Sequence, residues 1–269
     1  MRTVEIERGE QVWVVTIARP EVRNAVDGPT ARALADAFRA FDADQEARVA
    51  ILTGAGGHFC AGADLRTVAN GSSRGEPGAA DRGLTLALDD DMDRDGPMGP
   101  TRLDLTKPVI AAVEGYAVAG GLELALWCDL RIAAATATFG VFCRRFGVPL
   151  IDGGTQRLPR IVGLGRALDL ILTGRIVETP EAEAMGLLTE VVPEGAHLER
   201  ALEIAEALAR FPQDTMLLDR GAAIQGSTLP LADGLELESR SGHATLETAW
   251  KGAGRFAGGE GRGGEGAGV

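Results

Sequence analysis

Apolar residues along this chain follow two rhythms. Short, mainly apolar runs at 49–53, Val109–Val113 and Leu130–Ala134 predict buried strands. Residues 3–7 and 11–18 flank Gly9 and predict a hairpin. A 3.6-residue period replaces these runs at 30–43, where Leu34, Ala37, Phe38 and Phe41 share one helical face, and at 196–210, with Leu198, Ala201, Leu202, Ala205 and Leu208. Thr179 followed by Pro180 reads as a cap and a first helical residue. Past Phe211 helical patterns continue to about Trp250. Strands interspersed with helices predict an α/β core over residues 1–195 and a helical C-terminal region over 196–251. Two stretches read as mobile: 66–100, rich in Gly, Pro, Ser and Asp, and the Gly-rich tail 252–269, which cannot bury enough apolar surface to order itself.

With 269 residues and 45% hydrophobic content, the chain can fill a sizeable core. No apolar run reaches the ~20 residues of a membrane span, and no basic leader precedes an apolar stretch, so a cytoplasmic location is expected. Cys60, Cys128 and Cys143 lack C-x-x-C pairing and read as free thiols, and His58, His197 and His243 stand too far apart for a metal motif. A net charge of −12 argues against nucleic acid as a partner. That charge is uneven: five acids crowd into residues 89–95, an expected solvated loop, whereas Arg19 and Arg23 stand close together. His58 reads as an exposed loop residue and Lys107 as a solvated lead-in to a strand.

The chemistry concentrates in residues 117–129, A-V-A-G-G-L-E-L-A-L-W-C-D. Glycines at a helix start let backbone N–H groups approach a ligand and hold developing negative charge. Glu123, one turn further on, adds an acid/base group. Residues 49–65 end a strand in the glycines 54, 56, 57 and 62, and the loop offers a second N–H, from Ala63. Two donors from two loops make an oxyanion hole, each worth ~3 kcal/mol to a developing negative charge.

The segments R-P-E-V-R-N-A (19–25), F-C-A-G-A-D-L (59–65), K-P-V-I-A-A-V-E-G-Y-A-V-A-G-G-L-E-L (107–124), C-D-L-R-I-A-A (128–134), G-G-T-Q-R-L-P-R-I-V-G (153–163) and A-M-G-L-L-T-E-V-V (184–192) occur in one order along almost the whole chain. In that set the chain resembles the crotonase, or enoyl-CoA hydratase/isomerase, family. The resemblance implies a spiral of β-β-α units with a C-terminal helical trimerisation region, in homotrimers or hexamers. It implies an acyl-CoA or enoyl-CoA substrate whose enolate rests on the N–H groups of Ala63 and Gly120, with Glu123 as the catalytic acid. Arg23, Ala25, Ala61, Asp64 and Leu65 take the places that hold coenzyme A, largely through backbone groups. No metal or redox cofactor is implied.

The resemblance departs at the second acid. Counted from Phe139 and from G-G-T-Q-R-L, the hydratases' second glutamate falls on Cys143. Asp152, in L-I-D-G-G-T, takes a place where other branches use an aspartate, and it reads either as a second catalytic carboxylate or as a helix cap. The missing glutamate leaves open a CoA-thioester-binding protein that has lost hydratase activity. A nicotinamide-dependent reductase fits poorly: the glycines from Gly54 fail the dinucleotide fingerprint at Phe59, and Gly120 stands four residues after Tyr116 where a lysine is wanted. No G-x-S-x-G is present for acyl-serine hydrolysis.

Overall fold

The computed structural model describes residues 2–71 and 91–260. Strands β1 (Val4–Arg8) and β2 (Val12–Ile17) form the expected antiparallel hairpin. β2 then pairs in parallel with β3 (Val49–Gly54), followed by β4 (Val109–Val113), β6 (Leu130–Ala134) and β9 (Glu190–Val192). A smaller sheet holds β5 (Tyr116–Val118), β7 (Thr138–Gly140) and β8 (Val177–Glu178).

Strands of a parallel sheet are buried on both faces, and alternation divides their side chains. Leu52, Ala111 and Val113 face a core built on Phe38 and Phe41 of helix α1 (Gly28–Ala43). Ile51, Ile110 and Ile132 face Ala201, Ala205 and Ala209 of a helix at His197–Arg210. That helix therefore belongs to the core, and the boundary expected at residue 196 moves past Arg210. The small alanines let it lie close on the sheet.

The chain alternates between the sheets and then enters a helix: β4, β5, then α3 (Gly120–Trp127); β6, β7, then α4 (Gly154–Val162). The same order follows β3, where Cys60 bridges to Ala117 of β5 before helix α2 (Leu65–Gly71). This is the β-β-α spiral, and each turn delivers one loop and one helix start to the same side. Helices α5 (Leu164–Thr173) and α6 (Thr179–Ala184) complete the core, with α7 being His197–Arg210.

The C-terminal helices are α8 (Gln213–Gly226), α9 (Leu231–His243) and α10 (Leu246–Ala257), none of which buries a residue. α10 carries the chain in helix past residue 252, where the tail was expected to begin; residues 261–269 lie outside the described residues. So do residues 72–90 of the stretch expected to be mobile, whereas 91–100 are placed and include Asp95, paired with Arg39. No helix among the described residues is long and apolar enough to cross a membrane.

Three local expectations change. Thr179 does not cap α6 but is its first residue; its buried hydroxyl donates to the carbonyls of Ala134 (3.2 Å) and Ala137 (2.9 Å). Lys107 is not a solvated lead-in, because its ammonium donates to the Phe41 carbonyl (3.1 Å) and the Asp44 carbonyl at the end of α1. His58 is half-buried and stacks on Tyr116 at 5.0 Å.

The R-N-A segment shows how sequence fixes a loop. Asn24 is fully buried with φ 57°, a left-handed conformation that asparagine tolerates. Its Nδ2 donates to the carbonyls of Ala55 (2.8 Å) and His58 (2.5 Å), and its Oδ1 accepts from the Arg19 N–H (2.9 Å). Asn24→Ala strands these buried partners and strains the backbone, so we expect a loss of ~3 kcal/mol or more in urea denaturation. Asn24→Gly, relieved of the strain, should lose less. A loss below ~1 kcal/mol for alanine would show that these bonds do not hold the loop.

Candidate active site

The placement of Ala63 and Gly120 follows from strand register. The Cys60 N–H donates to the Tyr116 carbonyl (2.7 Å) and the Val118 N–H to the Cys60 carbonyl (3.1 Å). Three residues beyond this bridge on each segment stand Ala63 and Gly120, so the pairing that joins the loops also brings these two residues side by side. Ala63 bridges Val26: the Val26 N–H donates to the Gly62 carbonyl and the Asp64 N–H to the Val26 carbonyl, both at 2.8 Å. Both bonds use the flanking residues, which turns the Ala63 N–H to the opposite side. Gly120 opens α3, so its N–H has no partner within the helix. Neither N–H has a hydrogen-bond partner among the described residues.

The approach is close. A Cβ on Gly62 (φ 96°) would lie 3.0 Å from the Gly120 nitrogen and 2.9 Å from the Ala119 Cβ. Ala119 itself sits at φ 53°, ψ −124°, held there by its N–H donating to the Gly140 carbonyl at 2.8 Å. Such a conformation in a residue with a side chain costs about 1–3 kcal/mol and marks a constrained site.

Glu123 lies one turn into α3 and is buried. Its Oε1 accepts from the N–H groups of Asp152 (2.9 Å) and Gly154 (2.8 Å). Asp152, buried on the turn before α4, accepts at Oδ1 from the Met98 N–H (2.9 Å) and the Thr101 hydroxyl (2.5 Å). It is not a helix cap: α4 starts after Gly153, with no side-chain cap bond. Each carboxyl thus has one oxygen fixed by two donors. The other has no partner among the described residues, and both groups line a cavity of about 410 Å³ together with Ala63 and Gly120.

Burial, and then the charge of Asp152, push the Glu123 carboxyl up to about 8; burial also raises Asp152, against the hydrogen bonds from Thr101 and Met98. Near neutrality the pair therefore keeps one proton, resting mainly on Glu123. Cys143 lines the same cavity, but burial and the nearby Glu123 hold its thiol above the ordinary range, so it stays neutral.

Of the residues expected to hold coenzyme A, Arg23, Ala61 and Leu65 line the cavity, and Arg23 lies over the Tyr116 ring at 5.3 Å. Ala25 and Asp64 do not. The Ala25 carbonyl accepts from Arg19, and the Asp64 carboxylate pairs with Arg19 at 3.1 Å, as does Asp27. Arg19 is consumed by these two acids, which leaves Arg23 as the cation of that cluster on the cavity. Sequence reasoning did not single out Met98, Thr101 or Arg157. Arg157 stood within G-G-T-Q-R-L, but one of its two carbonyl partners, Thr101, is 56 residues away along the chain. Among the described residues, no group of His, Cys, Asp and Glu is arranged to hold a metal ion.

Residues 7–259 match the family model described as enoyl-CoA hydratase/isomerase. The chain is 39% identical over 222 residues to enoyl-CoA hydratase EchA19 of Mycobacterium tuberculosis, covering 78% of this chain and 77% of that protein. It is 38% identical over 239 residues to a probable enoyl-CoA hydratase of Rhizobium meliloti, covering 88% and 87%. The crystal structure of enoyl-CoA hydratase EchA1 from Mycobacterium marinum superposes with a TM-score of 0.83 at 33% identity, covering 96% of both chains.

The raised Glu123 has a stability signature. Its affinity for protons is higher in the folded chain (about 8) than the ordinary 4.5 of the unfolded one, so its contribution is full below pH ~4.5 and is lost as pH rises through ~8. Glu123→Gln keeps an oxygen for the Asp152 and Gly154 N–H groups and removes the titration. In urea denaturation the variant should gain on the wild type by a few kcal/mol between pH ~5 and ~9. Parallel curves over that interval would mean Glu123 is not held protonated.

Proposed function

We propose that this chain, which belongs to the enoyl-CoA hydratase/isomerase family, hydrates an enoyl-CoA thioester reversibly, using Glu123 and Asp152 as its acid and base. The observation that carries the reading is the pair of carboxyls, each with one oxygen fixed and one free on the cavity, beside two unpartnered N–H groups. The thioester oxygen accepts from Ala63 and Gly120 N–H. Asp152 takes a proton from water as the water oxygen bonds to Cβ, and Glu123 gives its proton to Cα as the enolate collapses. The pair ends with the one proton it began with, on the other carboxyl. Coenzyme A enters as part of the substrate, and the chemistry draws on no resident cofactor.

Cys143 stands where the resemblance expects a glutamate, and a buried neutral thiol is no oxygen base. That substitution is the one observation favouring a CoA-thioester-binding protein without hydratase activity. The two readings separate with a panel of enoyl-CoA thioesters followed by product mass. We expect addition of water, lost by ~10²-fold or more in kcat for Glu123→Gln and Asp152→Asn, and nearly unchanged in Cys143→Ala. Full activity in Asp152→Asn would leave Glu123 as a lone proton carrier, the arrangement suited to isomerisation. Binding without turnover across the panel would favour the non-catalytic reading.

The same reading includes assembly. α8–α10 bury no residue within one chain and leave Leu231, Leu235, Trp250 and Phe256 exposed, apolar area that a lone chain rarely shows to water. We expect light scattering to report three or six chains per particle. A monomer at micromolar concentration would remove this part of the proposal.

A further inference from the structure

Arg157 reaches the carboxyl pair from behind. Its Nη1 donates to the Asp152 carbonyl (2.9 Å) and its Nη2 to the Thr101 carbonyl (2.8 Å). It is absent from the lining of the catalytic cavity and instead lines a second cavity of about 310 Å³ with Trp127, Cys128 and Ile161. Gly153 makes room for it, since a Cβ there would lie 2.1 Å from Nη1. Among the described residues it has no carboxylate partner within 4.0 Å, so its charge acts on Glu123 and Asp152 without direct contact and favours both in their ionised forms.

The two carbonyls it joins belong to the two segments that hold the acids. The 96–101 segment supplies the Met98 N–H and Thr101 hydroxyl to Asp152; the 152–154 turn supplies two N–H groups to Glu123. We propose that Arg157 is a positioning residue, stapling these segments with one planar guanidinium and supplying the positive charge beside which the acid pair keeps one negative charge. This rests on the acid and base roles given above to Glu123 and Asp152. A rigid two-pronged donor suits the task, which lysine cannot match.

Glu123 faces Asp152, Arg157 and Cys143; Asp152 faces Arg102 and Arg157; Arg157 also faces Cys128 and Arg160, and Arg23 and Arg145 line the cavity shared by the two acids. Removing the Arg157 charge raises the proton affinity of both carboxyls. The acid limb of kcat/KM, set by ionised Asp152, and the alkaline limb, set by protonated Glu123, then both move to higher pH.

Steady-state kinetics with an enoyl-CoA that the wild type turns over, across pH 5–10, test this. Arg157→Gln should lose ~10-fold or more in kcat, with KM changed less than ~3-fold and both limbs displaced upward. Arg157→Lys should return the limbs to their wild-type places while kcat stays ~5-fold or more low, because an ammonium restores charge but not the staple. If the glutamine variant does not fold, the lysine variant carries the test. Wild-type kcat in Arg157→Lys, or lowered kcat with unmoved limbs in a folded Arg157→Gln, overturns the assignment. Either result with Asp152→Asn still crippled leaves the acid/base pair standing, whereas an active Asp152→Asn removes the pair itself.

Discussion

The pairing of Cys60 with Ala117 is the constraint on which the site depends. Two segments 57 residues apart run parallel for one bridge, and Ala63 and Gly120 each lie three residues beyond it. Equal offsets from one bridge mean that the two donors need no separate positioning: strand geometry places them. Gly62 is what permits the loops to come this close, since any side chain there would meet Gly120 and Ala119. The strain at Ala119 is the counterpart of that approach, sustained by the Gly140 carbonyl on the neighbouring turn of the spiral. The fold thus brings Ala63 and Gly120, whose N–H groups have no partner among the described residues, to the lining of one cavity with no side chain involved.

Charge is the second constraint. A chain of net charge −12 buries two carboxyls beside a pocket read as taking an anionic substrate. The cost is contained by backbone and hydroxyl donors, four of them for two oxygens, rather than by a direct ion pair. A salt bridge would fix both protons off the pair and hold an arginine on the substrate side. Amide donors instead leave one proton in place, and a cation set behind the turn moderates the repulsion. The other nearby arginines have different tasks: Arg19 neutralises Asp27 and Asp64, and Arg23 stands over Tyr116 at the cavity.

What sequence could and could not reveal follows from range. Strands β4 and β6 span the residues expected for them, and the one charged residue within them, Arg131, is buried and donates to the carbonyls of Leu187, Ala125 and Cys128. Gly120 and Glu123 were legible because a helix start and an acid one turn later are local patterns. The tethers of Asp152 span 51 and 54 residues, so no window of sequence contains them, and an aspartate before two glycines looks locally like a cap. The division of Asp64 from the cavity was hidden for the same reason: its partner Arg19 is 45 residues away. The tail boundary differs for another reason: glycines at 252 and 254 lower helix propensity, yet α10 runs through them to Ala257.

Asp152 contributes twice, and the two contributions are chemically separate. Its side chain supplies a carboxyl to the cavity, while its backbone N–H holds the Oε1 of Glu123. An acid on this turn cannot act independently of Glu123, because moving the Asp152 backbone moves both carboxyls together. With a neutral thiol at 143, the base of the proposed reaction and the clamp on Glu123 are thereby merged into one residue. The merged arrangement is only as rigid as the 152–154 turn, which lies between a partly buried Ile151 and the start of α4. Its rigidity then has to come from outside the turn, from the donors of the 96–101 segment and the guanidinium that joins the two. Packing around the acids is accordingly tight where it touches them: a Cβ on Gly154 would lie 2.9 Å from Glu123 Oε1, and one on Gly96 would lie 2.8 Å from Asp152 Oδ1.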